Sequence, residues 1–384
     1  MGGMTAAGQI ALPTPAAPSN VMLVTQPFMP PLDEYVPYLE EIWKRKWLTN
    51  SGAMHEELEA RLAAYLDVPH LSLVSNGTVA LWLALRALRV GGEVITTPFT
   101  FVATAHALRL VGAVPVFVDV DPITGNLDPA AVAAAVTLRT TAILPVHCFG
   151  QPCDTTGIAE VAARHGLKVI YDAAHAFGVR DGGESLLRQG DMATLSFHAT
   201  KVFNTVEGGA VVSPDYRTKQ RIDQLRNFGF VQDSVLPEVA LNAKMNEFQA
   251  AFGLLQLRYI DRSIAARGAI AARYRSKLAD IAGIRPFPVS PKWTLNHSYF
   301  PILVEPDYPE SRDALWMRLQ GSGILARRYF HPLVSDMPWY QDLSSARKPM
   351  PNARRIAAQV ICLPIHPEIT PDDVDTIVRI MTGG

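Results

Sequence analysis

Between residues 70 and 212 the chain repeats one unit: a short apolar strand, a turn built on Gly, Pro or small polar residues, and an apolar helix. Leu71 to Val74 leads through Asn76-Gly77-Thr78 into a helix over Val79 to Leu88. Glu93 to Thr96 leads into Thr100 to Leu110. Val114 to Val120 precedes a helix over Pro129 to Val136, with Asp128 as its N-cap. Ala142 to His147 precedes Thr155 to His165, and Lys168 to Tyr171, Ala193 to Phe197 and Ala210 to Val212 complete the strands. This alternation predicts an α/β fold with a mostly parallel sheet, helices on both faces and right-handed crossovers. Ligands of such sheets sit at the carboxyl ends of the strands, so residues just after each strand are the ones to read for function.

The flanks differ. Glu34 to Trp47 and Met54 to Leu66 read as helices before the repeat. After about residue 215 the pattern turns helical, with Tyr216 to Arg226 and a long run from Asn246 to Ile260 and on towards Ile281. The last hundred residues mix strands (Tyr299 to Val304, Val360 to Leu363) with helices (Ser311 to Gln320, Pro371 to Met381). The expected organisation is a flexible extension over 1–24, a large domain over 25–255 and a smaller C-terminal α+β domain over 256–384.

A chain of 384 residues, 48% of them apolar, is long enough to bury such cores. Its formal net charge of −1 gives no reason to expect nucleic acid or an anionic membrane surface as a partner. Residues 1–20 lack the basic start and apolar run of a signal peptide, and no apolar run reaches membrane-spanning length. Cys148, Cys153 and Cys362 form neither a disulfide framework nor a zinc-ligand spacing. They read as packing residues in a reducing cytoplasm, with no metal site expected.

Five stretches at strand ends carry chemistry. Asp191 to Val212 holds Lys201 in a polar loop between two strands, five residues after Ser196 and just before Glu207-Gly208-Gly209. A lysine is usually a surface charge, and alone Lys201 would be read so. Ser75-Asn76-Gly77-Thr78 opens a helix whose free N–H groups favour a phosphate, although it lacks the lysine of a P-loop and the G-x-G-x-x-G of a dinucleotide site. Phe101 follows the next strand and could stack on a planar ring or serve the core. Asp172 ends a buried strand in Tyr171-Asp172-Ala173-Ala174-His175, where an acid is costly unless partnered. Asn242 precedes the long helical run as a cap. A phosphate cradle, a ring stacker, a buried acid and a loop lysine together match pyridoxal 5′-phosphate.

From about Thr25 to the C-terminus the sequence resembles the DegT/StrS-type sugar aminotransferases, fold-type I pyridoxal-phosphate enzymes. The stretches that carry the likeness are WLTNSG, SNGTVAL, TPFTFVAT, VFVDVDP, YDAAHAFG, SFHATKVFNTVEGGAVV, LNAKMNEFQAA and CLPIHP. The resemblance implies a seven-stranded, mostly parallel sheet. It makes Lys201 the Schiff-base lysine and pairs Asp172 with the pyridine nitrogen. It sets His175 near the ring hydroxyl, Phe101 on the ring face, and Gly77, Thr78 and Ser196 around the phosphate, joined by Asn242 of the partner subunit in a homodimer. Lys244 stands where relatives carry arginine, which keeps the charge and loses the planar fork.

The same likeness implies transamination, since deoxygenating relatives carry histidine at the lysine position. Glutamate would load the amine, leaving pyridoxamine phosphate and 2-oxoglutarate, and a keto-sugar nucleotide would receive it. Thr49, Asn50, Arg327, Tyr329 and His331 are the expected sugar-nucleotide contacts. Lys244, Arg327 and Arg328 are cations for its diphosphate, and Phe101, Tyr329 and Phe330 an apolar wall for a methyl group. The lysine loop is nearer the branch that aminates C4 of dTDP-4-keto-6-deoxyglucose than the 3-aminating branch. Amination of another ring carbon, another nucleotide, or a non-catalytic pyridoxal-phosphate-binding regulator are the alternatives.

Overall fold

The computed structural model describes residues 21–231 and 234–383. Most of the expected flexible extension, residues 1–20, lies outside them. At its end, Met22–Leu23 pairs in parallel with Ile324–Leu325, and Val24 is buried beside Phe330, Val334 and Cys362.

Seven strands form the main sheet: β1 (His70–Val74), β2 (Glu93–Thr96), β3 (Val114–Phe117), β4 (Thr140–Leu144), β5 (Lys168–Asp172), β6 (Met192–Ser196) and β7 (Gly209–Ser213). Their spatial order is β1-β7-β6-β5-β4-β2-β3. Five are joined by parallel pairings from β3 across to β6, and β7 alone runs antiparallel to both its neighbours, β6 and β1. The lack of a helix in the connection fits this exception. A parallel return needs a crossover, usually with a helix, whereas residues 197–208 form only a loop from the end of β6 back into β7. That loop carries Lys201 and is therefore held at the carboxyl edge of the sheet.

Strand side chains alternate between the two faces. Leu71, Leu73, Tyr171, Leu195 and Val212 pack into one core with the helix Ala53–Tyr65. Val74, Ile170, Met192 and Val211 pack into the other with the helix Gly77–Ala87. Full burial on both sides is why these strands read as continuous apolar runs. Each such side chain contributes about 1.5–3 kcal/mol by leaving water.

The C-terminal unit is a three-stranded antiparallel sheet, Ile284–Pro286, Phe300–Val304 and Val360–Leu363 in that order, covered by the helices Ile260–Leu278, Arg312–Gly321 and Pro371–Met381. The long helical run is two helices, Glu247–Leu257 and Ile260–Leu278. At the break Arg258 N and Tyr259 N donate three residues back, to Leu255 O and Gln256 O. Apolar periodicity continues through the break and hides it. Other bounds shift for local reasons. The strand expected to reach His147 stops at Leu144 because Pro145 cannot donate to the ladder. The strand expected to reach Val120 stops at Phe117, since its only neighbour ends at Thr96. Asp128 caps its helix as expected, accepting from Ala130 N at 2.9 Å. Cys148, Cys153 and Cys362 are buried free thiols. Among the described residues no helix is long and apolar enough to cross a membrane.

Candidate active site

The carboxyl ends of the strands converge on a cavity of about 720 Å³. Gly77, Thr78, Phe101, Asp172, His175, Ser196, Lys201 and Tyr329, expected from sequence to share a site, all line it.

After β1, Asn76 caps the helix Gly77–Ala87 by accepting from Val79 N at 2.9 Å. The first N–H groups of a helix have no partner within it, and they lie at its positive end. A Cβ on Gly77 would stand 2.7 Å from Ser196 Cβ and 3.1 Å from Ser196 Oγ. Only glycine lets the start of this helix and the end of β6 meet, and the meeting forms a narrow polar cradle.

Asp172 ends β5 and is 6% exposed. It accepts from Thr104 Oγ1 at 2.8 Å and from Ala174 N at 3.1 Å, and Thr104 Oγ1 also lies 3.0 Å from Thr100 Oγ1. Burial pushes the carboxyl pKa up, while the two hydrogen bonds and the nearby Lys201 pull it back. A buried acid served by neutral donors is suited to a cationic guest. Next to it, His175 is fixed through its carbonyl, which accepts from Asn296 Nδ2 at 2.9 Å and Ser298 Oγ at 2.8 Å. Its ring lies edge-on to Tyr299 with centroids 5.0 Å apart, and Nδ1 is buried without a partner. Burial, reinforced by Lys201, holds this imidazole well below its ordinary pKa and hence neutral.

Lys201 follows a tight turn in which its N–H donates to His198 O at 2.8 Å. Burial lowers its pKa to about 8, with Asp172 opposing the shift. The helix expected to start at Thr100 starts at Ala103, and the preceding turn leaves Phe101 60% exposed at the cavity instead of in the core. Tyr299, Tyr329 and Phe330 close the other side from the C-terminal unit.

The remaining expected residues lie outside this cavity within one chain. Thr49 and Asn50 are exposed, with Asn50 in a left-handed conformation at φ 62°. Asn242 is exposed and bridges to Asn227, whose side chain also accepts from Lys244 Nζ at 2.8 Å. Arg327 pairs through its backbone with Cys362, and Arg327 and His331 are exposed. Sequence reading missed Thr104 and Tyr299. Thr104 had a signal, since a hydroxyl one turn after Thr100 shares its face. Tyr299 had none, because it arrives from the C-terminal unit.

A mostly parallel sheet in this order, with a low-pKa lysine after one strand, a buried acid after its neighbour and an anion cradle at a helix start, defines a fold-type I aminotransferase. The chain belongs to the DegT/DnrJ/EryC1/StrS aminotransferase family, which it matches over residues 32–382. It is 51% identical to a dTDP-4-amino-4,6-dideoxy-D-glucose transaminase of Shigella dysenteriae over 93% of this chain and 97% of that one. It is 46% identical to one of Escherichia coli, covering 94% and 98%. Its structure resembles that of DesI determined in the presence of its TDP-sugar product, with a TM-score of 0.91 and 38% identity, covering 96% of this chain and 93% of that one.

Enzymes of this family depend on pyridoxal phosphate, and the residues fit that cofactor. The cradle that a Cβ on Gly77 would fill suits its phosphate, the unpartnered Nδ1 of His175 awaits a polar atom, and Asp172 lacks only a cation. Gly77→Ala is expected to weaken binding of pyridoxal phosphate at least about tenfold, from one or two lost charge-assisted hydrogen bonds. Binding of pyridoxal without the phosphate should barely change. Absorbance titration of both compounds checks this.

Proposed function

We propose that the enzyme transfers the amino group of L-glutamate to dTDP-4-keto-6-deoxy-D-glucose, giving dTDP-4-amino-4,6-dideoxy-D-glucose. The observation that carries this reading is one cavity holding Lys201, Asp172, His175 and the Gly77–Ser196 cradle, in a chain 51% identical to a transaminase named for that product. When bound, pyridoxal phosphate supplies the electron sink for deprotonation beside its imine carbon. Lys201 is the residue that would bind it covalently. Once freed by the amino donor, Lys201 Nζ, whose pKa burial lowers to about 8, would be the base that carries the proton taken from the donor's α-carbon. Asp172 would hold the pyridine nitrogen's proton by charge, neutral His175 would support the ring oxygen, and Phe101 would cover the ring face. The second half-reaction runs the same steps backwards on the keto-sugar. The methyl group of a 6-deoxy sugar suits the wall of Phe101, Tyr329 and Phe330.

Charge supports a shared site. Both substrates are anions, yet Lys201 is the one lysine lining the cavity among the described residues, and no arginine lines it. The cations for a diphosphate must come from elsewhere, and exposed Asn242 and half-buried Lys244 are placed to reach a neighbour's site in a two-fold dimer. Mixing Lys201→Ala chains with Asn242→Ala chains is expected to restore part of the lost activity, because one composite site per mixed dimer keeps both residues. No recovery after proven subunit exchange would remove the shared-site reading. Three reduced, buried cysteines agree with a cytoplasmic setting, where glutamate and nucleotide sugars are available.

The substrate is tested by competition between 3-keto and 4-keto isomers of the dTDP-sugar with glutamate as donor. Amination at C4 is expected by NMR. An amine at C3, or turnover only of a UDP- or GDP-linked sugar, would overturn the substrate and leave the aminotransferase in place.

A further inference from the structure

We infer that Glu207, oriented by His198, is the acceptor that reads the hydroxyl group next to the reacting carbon of the sugar, and so sets substrate specificity. This inference rests on the sugar-nucleotide reading above. Both side chains line the same cavity as Lys201, on the same loop. Both are about half exposed at its mouth, with His198 Nε2 3.7 Å from Glu207 Oε1.

The pair is built. His198 Nδ1 accepts from the backbone N–H of Thr200 at 3.2 Å, with Thr200 Oγ1 2.8 Å away. A backbone N–H can only donate, so in the neutral ring Nδ1 is the acceptor and the proton sits on Nε2, the nitrogen facing Glu207. On the other side, the carbonyl of Glu207 accepts from both Thr205 Oγ1 at 2.8 Å and Gln249 Nε2 at 2.7 Å. The residue before it, Val206, is left-handed at φ 67°, a conformation that β-branched side chains rarely adopt. Such a residue persists only where its surroundings over-determine it. Here the loop holds an unfavourable valine so that a carboxylate faces the mouth of the cavity.

The chemistry of the two substrates says what that carboxylate is for. An ionised carboxylate is acceptor-only, so it repels the carboxylates of glutamate and offers nothing to the diphosphate. It does accept from hydroxyl groups, and of the two substrates only the sugar carries them. Because Glu207 leaves the same loop as Lys201, the hydroxyl within its reach is one near the carbon where Lys201 acts. For a 4-keto sugar that is the hydroxyl on C3. His198 Nε2–H faces Glu207 Oε1 from 3.7 Å, close enough to orient the carboxylate by charge while its oxygens stay open to the substrate.

The half-reactions are measured separately from cofactor absorbance, using glutamate, dTDP-4-keto-6-deoxyglucose and its 3-deoxy analogue. Wild-type enzyme is expected to prefer the 3-hydroxy sugar by about 10–100-fold in kcat/KM, the worth of one hydrogen bond to a charged group. In Glu207→Gln, whose amide oxygen still accepts a neutral hydrogen bond, that preference should fall by about 5–10-fold, while the glutamate half-reaction keeps most of its rate. His198→Gln, which retains a donor near the Nε2 position, should preserve more of the preference than His198→Ala. The inference is overturned if Glu207→Gln keeps the wild-type preference, or if it slows the glutamate and sugar half-reactions in parallel. A wild-type enzyme that reacts with glutamate and with neither sugar instead overturns the substrate assignment, and this inference with it.

Discussion

Replacing Lys201 with alanine is expected to abolish both half-reactions while leaving the fold and non-covalent cofactor binding intact. Three observations make the effect large. The side chain sits at the only loop that returns from β6 to β7 at the carboxyl edge. It shares one cavity with Asp172 and the phosphate cradle. Burial lowers its pKa to about 8, so a usable fraction is neutral, and nucleophilic, at physiological pH. Losing a residue proposed as both covalent anchor and proton carrier would remove two functions at once, and such losses commonly reach about 10⁴-fold or more. The lowered pKa has a direction that can be measured. The rate at which cofactor-free enzyme captures pyridoxal phosphate should rise with pH through about 8, as the ammonium gives up its proton. A rise centred near the ordinary lysine value would contradict the burial seen here. Borohydride reduction followed by peptide mapping should place the pyridoxyl mass on Lys201, and a label on any other lysine would undo the assignment.

Local pattern carried much of this site, and the reason is positional. Strands buried on both faces make a polar residue at their carboxyl ends conspicuous, as Asp172 and the Asn76-Gly77-Thr78 turn are, whereas Lys201, five residues past its strand, stands out only in their company. Phe101 was harder, because an aromatic near the start of an apolar helix reads as core. Only the turn before Ala103 shows that it faces the cavity. What pattern does not encode is the second wall. Tyr299 arrives from the C-terminal unit and meets His175 only in three dimensions, just as Asn296 holds the His175 carbonyl from 121 residues away. The helix break at Arg258 and Tyr259 was invisible for another reason, since both flanking helices bury the same kind of residue at the same period. Gly77 read as a phosphate residue from its place before a helix, but the stronger cause, contact with Ser196 across the sheet, needs the tertiary fold.

Asp172→Asn is expected to lower turnover by roughly 10²–10³-fold or more, in the range seen when one preorganised electrostatic contact is lost, without a fall in melting temperature. The two halves of this expectation have one cause. Asp172 is buried, and burial outweighs its two hydrogen bonds and the nearby Lys201 in raising its carboxyl pKa, so its charge is disfavoured in the folded state. Asparagine has the same shape and no charge. Its oxygen can keep the bond from Ala174 N, which can only donate, and its amide nitrogen can face Thr104, whose hydroxyl is free to turn and accept. The protein therefore loses no packing and sheds a buried charge. The reaction would lose the group proposed to keep the pyridine nitrogen protonated, and with it the cofactor's capacity to take up electrons from the α-carbon. Calorimetry and the glutamate half-reaction, run on the same preparation, separate the two effects. Near-normal turnover would reduce Asp172 to a hydrogen-bonding link between Thr104 and Ala174, and a large fall in melting temperature would mean that its charge supports the fold.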